Sequence, residues 1–285
     1  MAPEDTQASA IATQGSTMKS HVLFAALLVS LCAGVPRPAV AQLASPGAAG
    51  VAMGHVHLVT RDLDAQRHFW SALGGVLTKN GTLEMVGFPG VFVLLRQGEP
   101  AGGSVGSSVN HIGFNVRNVA ESVARWQAAG LKMEPQTRPT QVYVIAPDDV
   151  RIEILEVPGQ DVPIRFHHVH FALADQLAGQ AWYASMFGAV PGKRGQFDAA
   201  DLPGVNLTFT RDDKPVAKTA GRSIDHIGFE VQGLAALVAK LQANGIKLDR
   251  PLQKSAASPT LSTAFLTDPW GTQIELTQGL APAAH

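Results

Sequence analysis

Two sets of a histidine, a second histidine and a glutamate recur along the chain. The sets are His55, His111 and Glu153, followed by His168, His226 and Glu275. Each residue lies in an apolar run that is predicted to form a strand. Burying an ionised carboxylate in such surroundings is unfavourable unless the group is paired or bound to a metal. Two imidazoles and one carboxylate suit Fe²⁺, Mn²⁺, Ni²⁺ or Zn²⁺ and leave coordination positions open for water, oxygen or substrate.

A simpler interpretation applies to any one of these segments taken alone. Glu153 stands between Ile152 and Ile154, and strand alternation places it on the opposite face from both neighbours, where it could simply point into water. The recurrence of the whole set in the same order favours metal binding. We therefore predict a divalent metal ion in at least one of the two sets.

Two further histidines lie close to the first member of each set. His57 and His170 follow His55 and His168 by two residues, so that each pair is predicted to share one face of its strand. Either member of a pair could be the metal ligand. The other would then line the cleft as a proton-transfer group, a substrate contact or a hydrogen-bonded wall residue.

The chain is an internal duplication. Four segments return in the same order, at offsets of 113, 115, 122 and 114 residues. The matched pairs are 55–59 with 168–172, 110–116 with 225–231, 151–155 with 273–277, and 89–91 with 203–205. We divide the chain into domain 1 at 51–158 and domain 2 at 165–279, separated by the Pro/Gly-containing stretch 158–163.

Each domain is predicted to contain two βαβββ units. Apolar strands are followed by amphipathic stretches that end in glycine, at 62–75, 118–130, 175–188 and 233–245. Shorter strands punctuated by Gly and Pro follow each predicted helix. The expected fold class is α+β. Two units that place their histidine and glutamate strands side by side would bring the three groups of one domain to a single cleft.

Residues 1–41 resemble an N-terminal extension and a signal peptide. Lys19 is followed by an apolar run over 22–33 and a small-residue cleavage site before Gln42, and the run is too short to span a bilayer. The acidic residues before Met18 indicate that Met18 is the true start. The mature protein is then periplasmic or secreted, has no membrane span, and has lost Cys32, the only cysteine.

Composition excludes one large class of partners. The 285 residues carry a formal net charge of −1 and no basic stretch, so the electrostatic signature of a nucleic-acid-binding protein is missing. We expect a small-molecule substrate and either a monomer or a homodimer.

The units resemble the vicinal oxygen chelate (VOC) superfamily. The resemblance rests on HVHLVTRDLDAQRHFW, NHIGFNV and VRIEIL, repeated as HHVHFAL, DHIGFEV and TDPWGTQIEL, and covers nearly all of 51–279. That superfamily includes glyoxalase I, fosfomycin-resistance proteins, extradiol dioxygenases and metal-free bleomycin-resistance proteins. It implies two tandem domains, each a pair of βαβββ units that forms one cupped mixed sheet around a metal ion. It also implies that the first histidine of the opening strand is the ligand, which favours His55 and His168.

The resemblance does not select one reaction. The second glutamate of glyoxalase I has no counterpart in 91–95 or 205–209, and the upstream catalytic histidine of extradiol dioxygenases is missing from both domains. Tyr143 matches the tyrosine of the dioxygenase closing motif, whereas domain 2 has Phe265 there. The resemblance thus implies catalytic roles for His57, His170 and Tyr143 in a lyase, isomerase or ring-cleaving dioxygenase. The alternatives are a binding or sequestration protein of the bleomycin-resistance type, and a chain in which only one domain is active.

Overall fold

The computed structural model describes residues 42–282. The predicted signal peptide and its cleavage site, Met18 and Cys32 lie outside these residues. None of the helices in the described part has the length and apolarity needed to cross a bilayer.

Four βαβββ units follow one another along the chain. Unit 1 contains β1 (Val51–Thr60), α1 (Leu63–Leu73), β2 (Val76–Asn80), β3 (Leu83–Phe88) and β4 (Val91–Gln97). Unit 2 contains β5 (Val109–Val116), α2 (Val119–Ala128), β6 (Lys132–Met133), β7 (Gln141–Ala146), a 3₁₀ turn (Pro147–Asp149) and β8 (Val150–Glu156). Unit 3 contains β9 (Ile164–Leu173), α3 (Gln176–Phe187), β10 (Val190–Arg194), β11 (Phe197–Leu202) and β12 (Val205–Arg211). Unit 4 contains β13 (Ile224–Val231), α4 (Leu234–Ala243), β14 (Leu248–Lys254), β15 (Ser262–Thr267) and β16 (Gln273–Gln278).

The helices begin and end where the sequence predicts. The Asp62 carboxylate accepts hydrogen bonds from the backbone N–H groups of Asp64 and Ala65, both at 2.9 Å, and so caps the start of α1. Gly130 and Gly245 follow α2 and α4 with φ of 77° and 80°, a left-handed conformation that glycine adopts without strain.

The strands form two eight-stranded mixed sheets. Sheet 1 has the order β14-β15-β16-β13-β1-β4-β3-β2, and sheet 2 has the order β10-β11-β12-β9-β5-β8-β7-β6. Within a unit the first and last strands pair in parallel, whereas β1 with β13 and β5 with β9 pair antiparallel at the centres of the sheets. The α+β class and the mixed sheets of paired βαβββ units are therefore confirmed.

The choice of partner units differs from the prediction. Sheet 1 joins unit 1 to unit 4, and sheet 2 joins unit 2 to unit 3, so neither sheet is built from one sequence repeat. The boundaries 51–158 and 165–279 thus describe the duplication and not the sheets. The physical reason is that the shortest of the three connections between units, residues 157–163, joins units 2 and 3, whose first strands are neighbours.

Buried aromatic side chains hold the two sheets together. The ring of Phe114 in sheet 2 lies 4.9 Å from that of Phe88 in sheet 1 and 5.2 Å from that of Phe166. Trp70 on α1 is fully buried against the same group. Trp70 therefore belongs to the core between the two sheets.

Candidate metal centres

Centre 1 lies where β1 and β13 run side by side in sheet 1. It consists of His55 on β1, His226 on β13 and Glu275 on β16, the strand that flanks β13. The Nε2 atoms of both histidines lie 3.0 Å from the same oxygen, Oε2 of Glu275. His57 stands opposite His226 in the strand register, and the ligand atoms of all four residues lie within 4.8 Å of one another.

Centre 2 occupies the equivalent place in sheet 2. It consists of His111 on β5, Glu153 on β8 and His168 on β9, with His170 beside them. Oε2 of Glu153 lies 2.9 Å from Nε2 of His168 and 3.5 Å from Nε2 of His111. Neither histidine nitrogen has a hydrogen-bond partner with acceptable geometry, although both are buried.

The structure brings all six predicted ligands into two centres, but not in the predicted groups of three. His55 was expected to join His111 and Glu153, and instead faces His226 and Glu275. His168 correspondingly faces His111 and Glu153. The grouping by sequence repeat was wrong because each sheet pairs strands from different repeats. Since β1 pairs with β13 and β9 pairs with β5, each opening histidine meets a histidine of the other repeat.

The donor atoms fit a divalent ion. Metal bonds to imidazole nitrogen and carboxylate oxygen are roughly 2.1 Å long, so two ligands at a right angle on one ion lie about 3 Å apart. The nitrogen-to-oxygen separations of 2.9–3.5 Å match that spacing. The buried Nε2 atoms of His111 and His168 both face Oε2 of Glu153 and have no hydrogen-bond partner among the described residues, so each can offer a lone pair to an ion.

Each centre depends on one glycine. A Cβ atom on Gly228 would lie 1.9 Å from Cε1 of His55, and one on Gly113 would lie 1.9 Å from Cε1 of His168. The ring of the opening histidine therefore rests directly on the backbone of the neighbouring strand. This close approach explains why a glycine follows two residues after the second histidine in both repeats.

The two centres differ in what holds the second histidine. In centre 1, Nδ1 of His226 lies 2.6 Å from Oδ1 of Asp225, whereas in centre 2 Nδ1 of His111 lies 2.9 Å from the amide oxygen of Asn110. Burial acts to lower the pKa of both histidines. The hydrogen bonds to Asp225 and Glu275 outweigh burial and raise the pKa of His226, while the pKa of His111 stays lowered.

His57 and His170 are neutral residues beside the centres. Burial, reinforced by the neighbouring His226, holds the pKa of His57 well below its usual value, and burial with His111 lowers the pKa of His170 to about 3. Among residues 42–282, neither ring nitrogen of His57 has a hydrogen-bond partner, whereas Nε2 of His170 lies 3.2 Å from Oγ1 of Thr210. His57 is therefore the less constrained of the two.

Tyr143 is hydrogen-bonded to Glu153. Its hydroxyl donates a hydrogen bond to Oε1 of Glu153 at 3.1 Å, and the Gln141 side chain donates to the same oxygen. Burial, followed by the nearby Glu153 carboxylate, raises the pKa of Tyr143 to about 12. The phenol thus stays protonated and acts as a hydrogen-bond donor to the carboxylate of centre 2.

Arg194 closes centre 2, a feature that no motif in the sequence indicates. Its Nη2 lies 3.1 Å from Oε2 of Glu153, the oxygen that the two histidines face, and its Nη1 donates to Thr208 at 3.2 Å. The corresponding residue at the end of β2 is Asn80, which donates to backbone oxygens away from centre 1. A guanidinium therefore already neutralises the carboxylate of centre 2.

Centre 1 opens onto a cavity of about 650 Å³. The donor residues share its wall with apolar side chains and with three cationic ones. The lining includes Leu83, Leu94, Leu261, Phe265, Arg96, Arg250 and Lys254. The volume suits a small organic molecule.

The comparisons with known proteins agree with this architecture. A sequence model of the Glyoxalase/Bleomycin resistance protein/Dioxygenase superfamily matches residues 108–276, and the chain belongs to that superfamily. No curated protein is significantly similar to the chain.

Two solved structures show the same fold. Glyoxalase I from Zea mays superposes with a TM-score of 0.62 at 14% identity, over 80% of this chain and 92% of that one. A protein of Bacillus subtilis subsp. subtilis str. 168, described as a candidate dioxygenase, gives a TM-score of 0.62 at 15% identity, over 86% and 88%. At these identities the likeness establishes the fold and not the reaction.

Proposed function

We propose that the protein is a metal-dependent VOC-type enzyme whose active site is centre 1. His55, His226 and Glu275 would hold one Fe²⁺, Mn²⁺, Ni²⁺ or Zn²⁺ ion. The substrate would be a small oxygenated molecule bound through two adjacent oxygens, and the reaction of the lyase, isomerase or ring-cleaving dioxygenase type. One observation carries the proposal. Nε2 of His55 and Nε2 of His226 each lie 3.0 Å from Oε2 of Glu275, and the three residues line a cavity of about 650 Å³.

When bound, the ion would act as a Lewis acid that the two substrate oxygens chelate. The chain's own residues position the ligands and exclude water. Asp225 accepts the Nδ1 proton of His226 at 2.6 Å, which directs the Nε2 lone pair toward the ion, an arrangement common among metal-binding histidines. Leu94 and Phe265 border the cavity beside the histidines and keep that side apolar.

His57 is the residue of centre 1 that is free to act on a substrate. It lines the cavity, and neither of its ring nitrogens has a hydrogen-bond partner in the described part of the chain. Its position opposite His226 brings it next to the ion site. We assign it to substrate contact or proton transfer.

Centre 2 has the same type of donor set but a different chemical state. Glu153 already accepts hydrogen bonds from Tyr143, Gln141 and Arg194. A metal ion there would have to displace the guanidinium or share the carboxylate with it. We therefore place catalysis at centre 1, with Tyr143 and His170 in supporting positions at centre 2.

Metal analysis of matched variants tests the proposal. The untagged protein is purified and its Fe, Mn, Ni and Zn content is measured beside that of His226→Ala and His111→Ala. We expect close to one ion per chain, lost from His226→Ala and kept by His111→Ala, which alters the equivalent histidine of centre 2. The loaded protein is then assayed with catechols, hemithioacetals and epoxides. A parent that contains no metal and takes none up would contradict the enzyme proposal and favour a binding or sequestration protein.

Location and assembly are part of the proposal. We infer export to the periplasm or outside the cell from residues 19–41, and N-terminal sequencing that finds Gln42 as the first mature residue would support it. Each centre draws its residues from a single chain. A monomer would therefore suffice for activity, which light scattering of the purified protein can test.

A further inference from the structure

The cavity of centre 1 carries an excess of positive charge. Arg96, Arg250 and Lys254 line it, against the two carboxylates of Asp225 and Glu275. Arg96 lies 3.5 Å from Asp225, and Glu275 is engaged by the histidines. Within residues 42–282, neither Arg250 nor Lys254 forms an ion pair. A bound divalent ion would increase the excess further, so the cavity favours an anionic ligand.

Arg250 is held close to the centre. Its guanidinium carbon lies 3.3 Å from the centroid of the Phe265 ring, and that ring lies 5.4 Å from the ring of His226. The cation is thus separated from a metal ligand by a single aromatic side chain. Stacking on Phe265 fixes the guanidinium plane while its N–H groups remain available to a planar anion.

The strand that carries these cations is irregular at this point. The pairing of β14 with β15 shifts register between Leu248 and Arg250 and again between Arg250 and Gln253. Such bulges redirect side chains relative to regular alternation. As a result Arg250, Gln253 and Lys254 all line the same cavity.

Centre 2 provides an internal comparison. There the guanidinium carbon of Arg151 lies 3.5 Å from the ring centroid of Tyr143, which is the counterpart of Phe265. Arg151 is paired with both carboxylate oxygens of Glu134, at 2.7 and 2.8 Å. An arginine thus stacks on the equivalent ring in both centres. A carboxylate neutralises the charge of that arginine in centre 2, whereas within residues 42–282 no carboxylate pairs with it in centre 1.

We propose that Arg250 and Lys254 form a carboxylate-binding subsite of centre 1. This inference rests on the proposed function and narrows its substrate to a small carboxylic acid that also carries two adjacent oxygens. The carboxylate would lie against Arg250 and Lys254 while the adjacent oxygens reach the ion site formed by His55, His226 and Glu275. Leu83, Leu94 and Leu261 would pack against the hydrocarbon body of the substrate.

A pair of probes that differ in one carboxylate tests the subsite. Binding of protocatechuate and of catechol to the metal-loaded protein is measured by calorimetry. We expect protocatechuate to bind about tenfold more tightly, the effect of one charge-assisted contact. The preference should disappear in Arg250→Gln and Lys254→Gln, and persist in Lys240→Gln, an exposed cation on α4. Equal affinities of the parent for the two probes, or an equal loss for both in Arg250→Gln, would overturn the subsite.

A metal-free arm separates this inference from the enzyme proposal. Benzoate and benzyl alcohol are titrated into protein stripped of metal, where the subsite predicts a preference for benzoate that Arg250→Gln abolishes. If the protein takes up no metal, the enzyme proposal fails. The titrations with benzoate and benzyl alcohol still show whether the carboxylate-binding subsite exists. If the glutamine variants unfold, the parent protein alone can test the subsite. Raising the salt concentration must weaken the binding of benzoate and leave the binding of benzyl alcohol unchanged. Salt-independent benzoate binding would refute the subsite.

Discussion

Replacing Gly228 with alanine should remove a metal ligand without touching any ligand residue. The added Cβ would lie 1.9 Å from Cε1 and 2.1 Å from Nδ1 of His55, whereas such contacts are essentially never shorter than 3.0 Å. The imidazole must therefore withdraw by about 1.1 Å, or the strands β1 and β13 must separate by a similar distance. The two strands cannot separate easily, because β1 and β13 are hydrogen-bonded to each other at this point.

The expected loss of affinity follows from the small tolerance of metal bonds. Ligand distances in metal sites are held to about 0.2 Å, so a shift of about 1 Å amounts to loss of the ligand. Altering a residue that only orients a ligand already weakens binding roughly 10- to 100-fold. Gly228→Ala should therefore weaken metal binding at centre 1 by at least about 100-fold.

Competition with a chelator of known affinity measures the effect. Gly192→Ala is the matched control. Apart from Gly192 and its two chain neighbours, no atom of residues 42–282 lies within 4 Å of the added Cβ, and its φ lies outside the left-handed region. Gly113→Ala produces the same 1.9 Å clash in centre 2 and should leave the affinity of centre 1 unchanged. Metal affinity of Gly228→Ala within about threefold of the parent, in a protein that unfolds at the same temperature, would refute the assignment of His55.

Three further outcomes are expected. Arg194→Asn, which removes the cation from Glu153, should add up to one metal ion per chain, and an unchanged metal content would contradict the interpretation of Arg194 as a built-in counter-ion. Asp225→Asn should weaken metal binding at centre 1 roughly 10- to 100-fold in the same chelator competition, because the hydrogen bond at 2.6 Å loses its charge. Burial raises the pKa of Tyr143 to about 12 and that of Tyr183 well above 10. The folded metal-free protein should thus show little tyrosinate absorbance near pH 10. Since unfolded tyrosines lose their protons near that pH, the free energy of unfolding should fall as the pH rises from about 10 toward 12, and a stability independent of pH there would count against both shifts.

The sequence predicts candidate site residues, helix ends and strand faces wherever these depend only on neighbouring residues. The histidines and glutamates singled out in apolar strands are the eight residues that the structure brings together in the two centres. The glycines after α2 and α4 were likewise predicted to end their helices, because capping depends on a few neighbouring residues. The alternation that pairs His55 with His57 on one face depends only on the strand period.

Differences between the centres depend on side chains that converge from distant strands. Arg194 reaches Glu153 across 41 residues, and Arg250 stacks on Phe265 from an irregular edge strand. Neither contact follows from a spacing in the sequence. As a result the sequence could suggest that only one domain is active, but could not indicate that centre 1 opens onto a cavity.

The pairing of units was the main error, and connection length supplies the physical explanation. Strand pattern is identical in the repeats, so units 1 and 2 could pair as well as units 2 and 3. The connections span residues 98–108, 157–163 and 212–223, that is 11, 7 and 12 residues. The last strand of unit 2 and the first strand of unit 3 both flank β5, so the shortest connection only has to pass over one strand end, where Val157 N–H donates to the oxygen of Val116. The longer connections cross from one sheet to the other. The stretch interpreted as a domain separator is therefore a tight link inside sheet 2, and each opening histidine meets ligands from the other repeat as a consequence.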